Sequence, residues 1–308
     1  MKALCSDCQI LYSNANQDAA AQQNQADAAL TNGAKVLVLD PVDSASAASI
    51  VSKAKARNVP VISYDRLVTG ADVDYYISFD NVEVGKLQAR SLVSKLKADG
   101  VGSGTIVMIN GAPTDNNAKL FKQGAHSVLD TSGLKIGKEY DTPDWSPDQA
   151  QSEMEQAITA LGKNGFQGVY AANDGTAGGA IAAMKGQGIN PSSRPTTGQD
   201  AELAAVQRIL TGQQYMTVYK AIKPEAGEAA ELAVDLLNDN RTAADSLAKQ
   251  QTNNGRKDVP SVILTPVAVT KANANQTVGQ MITDGFLKAS DICSGPAASA
   301  CQHVGLSQ

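Results

Sequence analysis

Six short apolar runs in this chain end in residues that hydrogen-bond through planar or charged groups. The run 60–64 leads into Asp65-Arg66, and 105–109 is followed by Asp115-Asn116-Asn117. Lys135-Ile136 and Tyr140 precede Trp145, the only tryptophan. The runs 169–172, 196–199 and 216–219 end in Asn173-Asp174, Asp200 and Lys220. A carboxylate accepts from two vicinal hydroxyls, Arg and Lys donate to hydroxyl and ring oxygens, and Asn does both. An indole offers a flat, electron-rich face that suits the C–H face of a pyranose. Asp65, Arg66, Asp115, Asn117, Trp145, Asn173, Asp200 and Lys220 therefore read as a pocket for a small, hydroxyl-rich molecule. Each has a plainer reading alone: Asp65-Arg66 a solvated ion pair, Asp115 and Asn173 helix caps, Trp145 a packing residue, Lys220 plain surface. Their shared position at run ends argues for binding. Paired Asp residues could do acid/base work, but no activated nucleophile, metal cluster or phosphate loop accompanies them. His126 and His303 lie outside these segments. No catalytic residue, metal ligand or cofactor is expected.

Such ends must be held by a sheet, and in an open parallel sheet ligands bind beyond the carboxyl ends of the strands. The pattern predicts a strand at 9–13, a helix at 18–31 closed by Asn32-Gly33, and a strand at 35–39. That last run is continuously apolar, as in a strand buried on both faces, and Ser44 is placed to cap a helix reaching about Arg57. Further strands are predicted at 59–63, 75–79, 104–109, 135–140, 168–172, 195–198 and 216–219. Helices are predicted at 81–97, 116–129, 147–161, 176–186, 202–210 and 224–237. This alternation implies α/β layers, parallel sheets and right-handed crossovers. Past Asn240 comes a polar stretch, 242–258, with Asn253-Asn254-Gly255 as a turn signal. Strands at 259–266 and 267–270 are separated by Pro266, which cannot sit centrally in a ladder, and 275–286 is a final helix. Thr265-Pro266 and Gly111-Ala112-Pro113 read as crossings between two domains, the number expected of 308 residues. Several crossings make a hinge.

Composition narrows the partners. A net charge of −5 with no basic stripe argues against nucleic acid, and no apolar stretch approaches the ~20 residues of a membrane helix. Met1-Lys2-Ala3-Leu4 lacks the apolar core of a signal peptide, which taken alone would say cytoplasm. Cys5, Cys8, Cys293 and Cys301 speak instead for disulfides and an extracytoplasmic setting, with three pairings open in principle and sequence-local pairing the simplest. Zinc would need four converging ligands, and a redox Cys-x-x-Cys normally opens a helix after a strand; neither pattern is met.

The quoted segments resemble the type I periplasmic binding proteins of bacterial ABC importers, in the ribose/galactose-binding group, and among them those that bind xylose. The resemblance is carried by Tyr64-Asp65-Arg66, by 74–81, by 115–121, by 173–180 and by Gly198-Gln199-Asp200-Ala201. Met216-Thr217-Val218-Tyr219-Lys220, Asn253-Asn254-Gly255 and Leu264-Thr265-Pro266 add to it, so that it runs from about residue 9 to 290. It implies two doubly wound, Rossmann-like α/β domains: an N-terminal lobe of 1–111 plus 221–265 and a C-terminal lobe of 112–220 plus 266–308. It further implies that the eight residues named above hold a monosaccharide, D-xylose, in an interdomain cleft. Asp65 and Arg66 would come from the first domain, the others from the second, with Lys220 near a crossing. The sugar would be delivered unchanged to an ABC membrane permease. The expected location is periplasm or cell surface, with a lipid anchor on an upstream segment as one form of attachment. Family members open with one more strand and an amphipathic helix, so the first β-α unit is expected to be absent here. The effector domain of a LacI-type sugar-responsive transcription regulator shares the fold and is the alternative, but no basic recognition helix is present.

Overall fold

The computed structural model describes residues 3–306; Met1 and Lys2 of the N-terminal tetrapeptide, with residues 307 and 308, lie outside it. In chain order the first elements are α1 (Ala19–Thr31), β1 (Leu37–Leu39), α2 (Ala48–Lys55), β2 (Val61–Tyr64), β3 (Tyr75–Phe79), α3 (Asn81–Ala98) and β4 (Thr105–Asn110). Next come α4 (Asn116–Leu129), β5 (Lys135–Asp141), α5 (Pro147–Leu161), β6 (Gly168–Ala171), α6 (Asp174–Gly186), α7 (Leu203–Leu210) and β7 (Met216–Tyr219). The chain continues with α8 (Ile222–Leu237), α9 (Arg241–Leu247), β8 (Gln250–Asn253), β9 (Asp258–Leu264) and β10 (Val267–Thr270). Three helices close it: α10 (Ala274–Thr283), α11 (Ala289–Ile292) and α12 (Ala298–His303). No helix among the described residues is long and apolar enough to cross a membrane.

Two compact units result. The first comprises residues up to Asp80, 114–117 and 222–265. Its sheet has the order β1-β2-β3-β9-β8, parallel except for β8, which pairs antiparallel with β9. The Asn253-Asn254-Gly255 turn joins those last two strands, with Asn253 opposite Asp258 and Gly255 at positive φ. Asp18 starts α1 by accepting from the N–H groups of Ala20 and Ala21, which offsets the unpaired donors of a helix start. Two apolar clusters fill the faces of the sheet, one with Ile50, Val61 and Tyr76, the other with Ile62, Ile77 and Leu232.

The second unit comprises 81–113, 118–221 and the residues from Pro266 onward. It holds a parallel sheet β5-β4-β6 and an antiparallel pair β7-β10. Residues 195–198, predicted as a strand, form a single bridge, Val169 with Thr196, but they link the two sheets. Val169 N–H donates to Pro195 and Thr197 N–H to Val169 on one side; Tyr215 N–H donates to Thr196 and Val218 N–H to Gly198 on the other. Helices α3 and α4 cross where a Cβ on Gly85 or Gly124 would overlap the opposite backbone. That close approach, with α3 packed on β6 and β7, is why 81–113 group with the second unit, whereas the sequence reading carried the first lobe through 111. Pro266 separates β9 from β10, which lie in different sheets.

Several local expectations are corrected. Residues 9–13 form no strand; Ile10, Leu11 and Tyr12 are exposed, because no ladder partner covers them. Strand β1 pairs only with β2 among the described residues, so Val38 is 45% exposed rather than buried on both faces. Ser44 does not cap the helix that follows it: Asp43 accepts from Ala45 and Ser46 N–H, while the Ser44 hydroxyl accepts from Asn116 N–H at the start of α4. The polar stretch after Asn240 contains α9, capped by Asn240, and β8. Amphipathic order hidden in polar residues is what composition alone cannot reveal.

Candidate functional site

Four of the eight residues meet in the first unit. Buried Ser44 ties 114–117 to it: its N–H donates to Thr114, and its carbonyl accepts from Thr69 N–H. Asp115 then does two things at once. One carboxylate oxygen caps α4 by accepting from Asn117 N–H at 2.8 Å; the other accepts from Arg66 Nε at 2.9 Å. The plainer reading of Asp115 as a cap is thus correct as far as it goes. Arg66 pairs with Asp115, across 49 residues, and its Nε also lies 3.7 Å from Asp40 Oδ1. Asp65 follows β2 at φ 53, a conformation that costs a non-glycine residue energy. Its backbone is clamped: the N–H donates to Ile77, and the carbonyl accepts from Tyr76 Oη and Asn117 Nδ2. Burial pushes the Tyr76 phenol well above its usual range, so it stays a donor.

The other four lie in the second unit. After β5 the chain turns through Pro143-Asp144-Trp145, with Asp144 at φ 54 and Trp145 at φ 56, and Ser146 then caps α5. The indole meets Phe121 edge-on, centroids 6.2 Å apart. It also lies flat on Gly111, where any Cβ would overlap the ring. Asn173 ends β6 and caps α6: its Oδ1 accepts from Thr176 N–H, and the Thr176 hydroxyl completes the box. The cap occupies Oδ1 and leaves the Nδ2 donors to other duty. Asp200 sits between Gln199 and Ala201 at φ 103, followed by Ala201 at φ 52, and its carboxylate accepts from Gln199 Nε2. Lys220 is buried at the end of β7, against its reading as plain surface.

Sequence reasoning missed the residues beneath these. Gln88 of α3 is fully buried and donates through Nε2 to the carbonyls of Ala171, Ala172 and Gly198, pinning two strand ends. Asp174, quoted beside Asn173 at its run end but given no role in the site, is buried and accepts from Gln214 Nε2, Thr217 Oγ1 and Glu202 N–H. Burial and the nearby Asp200 charge push its carboxyl well above the usual range, while those donors oppose the shift. Polar residues in otherwise apolar runs, Thr217 in β7 and Gln88 in α3, were the available signal. Cys5 pairs with Cys8 and Cys293 with Cys301, the sequence-local connectivity. The second bridge is buried in the core under α7 and α10.

Residues 1–241 match the periplasmic binding protein domain. The chain belongs to the periplasmic binding protein family. The D-xylose-binding periplasmic protein of Escherichia coli is 41% identical over 295 residues, covering 94% of this chain and 85% of that protein. Its namesake in Haemophilus influenzae is 41% identical over 289 residues, covering 92% and 83%. Among solved structures, a carbohydrate transporter solute-binding protein from Chloroflexus aurantiacus in complex with D-glucose superposes with a TM-score of 0.79. It is 32% identical and covers 89% of this chain and 86% of that one. The family description and the names of these relatives are those of binding proteins, not of enzymes.

Proposed function

We propose that the protein is an extracytoplasmic receptor that captures D-xylose and delivers it to the permease of an ABC importer. The eight side chains assigned to the sugar are Asp65, Arg66, Asp115 and Asn117 from the first unit and Trp145, Asn173, Asp200 and Lys220 from the second. The observation that carries this reading is their coincidence: seven lie at strand ends or in the segments that follow, and Asn117 lies in the first turn of α4, in a chain 41% identical to D-xylose-binding relatives. Two carboxylates, an amide and a guanidinium in one unit, and an indole, an amide, a carboxylate and an ammonium in the other, match the donors and acceptors of a pyranose. The periplasmic names of the relatives support an extracytoplasmic place and give no support to a lipid anchor.

Trp145 is the only tryptophan, so emission excited selectively at the indole, beyond the absorption of the 8 tyrosines, reports this position. Titration with D-xylose, L-arabinose, D-ribose, D-glucose and D-galactose is expected to change the emission most tightly with xylose, with the sugar recovered unchanged. One methylene is worth only ~1–3 kcal/mol of discrimination, so weaker responses to hexoses fit the reading. A response to glucose or ribose but none to xylose would overturn it.

A further inference from the structure

Asp200 and Ala201 are consecutive non-glycine residues at positive φ, 103° and 52°. Such a pair persists only where its surroundings over-determine it. What surrounds it is one buried carboxylate. Asp174 Oδ2 accepts from Glu202 N–H at 3.0 Å, just after the turn, and Asp174 N–H donates to Gln199 at 2.9 Å, just before it. The same Oδ2 accepts from the Thr217 hydroxyl at 2.9 Å, and that hydroxyl in turn accepts from Ala201 N–H at 3.2 Å. Oδ1 accepts from Gln214 Nε2 at 2.7 Å, and Arg208 Nη2 donates to the Asp174 carbonyl at 3.0 Å. Asp174, Thr217 and Gln214 are all buried, with Thr217 in β7. Asp200 N–H closes the frame by donating to Val218 at 2.9 Å.

We propose that Asp174 is a positioning residue for sugar binding: through Thr217 and the 202 amide it locks residues 199–202 in the strained turn that presents the Asp200 carboxylate. Simple core filling would not need a polar group here, since a buried carboxyl is costly unless hydrogen-bond partners surround it. All three donors on this one are attached to, or bear on, the turn or β7. The inference rests on the assignment of Asp200 to the sugar.

The test measures the D-xylose dissociation constant by calorimetry, with circular dichroism and melting recorded for every variant. Thr217→Val, nearly the same shape, removes the link to Ala201 N–H and is expected to weaken binding about tenfold. Thr217→Ser restores the hydroxyl and should bind within about twofold of the parent. Asp174→Asn sets an N–H against the Glu202 N–H and should weaken binding by at least as much as Thr217→Val. A purely structural role would lower the melting temperature and leave the dissociation constant of the folded protein unchanged. Asp200→Ala separates the two readings. If it abolishes binding while Thr217→Val binds normally, the positioning role fails and the assignment of Asp200 stands. If Asp200→Ala binds normally, both fail. Equal losses in Thr217→Val and Thr217→Ser would also overturn the role, because the hydroxyl would then not be the cause. Should Asp174→Asn not fold, the two Thr217 variants decide.

Discussion

The two sets of four candidate residues are held by different physics. In the first unit, functional groups hold one another: Asp115 pairs with Arg66 and caps α4, and Asn117 clamps the Asp65 carbonyl. In the second unit, the functional side chains are held from behind, by strained backbone at Trp145 and Asp200 and by buried residues such as Asp174, Gln88 and Gly111. The first arrangement resists disorder by charge pairing, so removing a candidate residue also removes a support. The second separates supporting residues from contacting ones, so binding and stability can be changed independently.

The largest effects should come from paired substitutions across that divide. Asp115→Ala removes the 2.9 Å partner of the largely buried Arg66 and the acceptor for Asn117 N–H in the first turn of α4. It is expected to cost about 3 kcal/mol of folding stability by denaturant titration and to weaken xylose binding at least 100-fold. Asp200→Gly should lose binding comparably, yet its stability should be unchanged or up to ~1 kcal/mol higher, because glycine accepts positive φ. Equal losses of stability in both variants would erase the contrast.

Gly111→Ala is the intermediate case. The added methyl group displaces the Trp145 ring, at a folding cost of about 1–3 kcal/mol. Xylose affinity should fall about tenfold, with a shifted Trp145 emission maximum. An unchanged emission spectrum and affinity would show that the indole is not set from behind.

The smallest effect concerns His126, which bonds Asp130 and Glu139 on the second unit's surface. Burial lowers its pKa, but the bonds to Glu139 and Asp130 outweigh this, and the net shift is upward. For Glu139, burial is likewise outweighed, by Lys122, His126 and Asn110, and its pKa is lowered. A raised His contributes stability below its unfolded pKa and loses it as pH rises through the folded value. A lowered Glu contributes above its unfolded pKa and loses it as pH falls through the folded value. The cluster therefore contributes most between roughly pH 4.5 and 6.5. His126→Gln should lose less than ~1 kcal/mol at pH 5.5 and nothing at pH 9, with xylose affinity unchanged at both. A loss of affinity would tie this cluster to the site.

Much of the fold was legible because β-α alternation leaves a strong periodic record: β3, α4, α5 and β7 fall on the predicted residues. Misreadings occurred where pattern and neighbours disagree. Residues 9–13 and Val38 look like buried strands, but a strand is buried only if others cover it. The segment 195–198 is too short for a regular ladder yet joins two sheets. The eight residues were proposed from the sequence because each ends or follows an apolar run.

The sequence alone determined the alternating architecture and the chemical types set at the strand ends, since these depend on short-range periodicity and residue identity, while the structure chose the sequence-local disulfides among the three pairings left open. Only the tertiary structure decided the partners. It paired Arg66 with Asp115, placed 114–117 in the first unit and 81–113 in the second, and put Asp174 beneath Asp200. Those outcomes follow from contacts between residues far apart in the chain, and no local pattern encodes which distant donor will meet a given carboxylate.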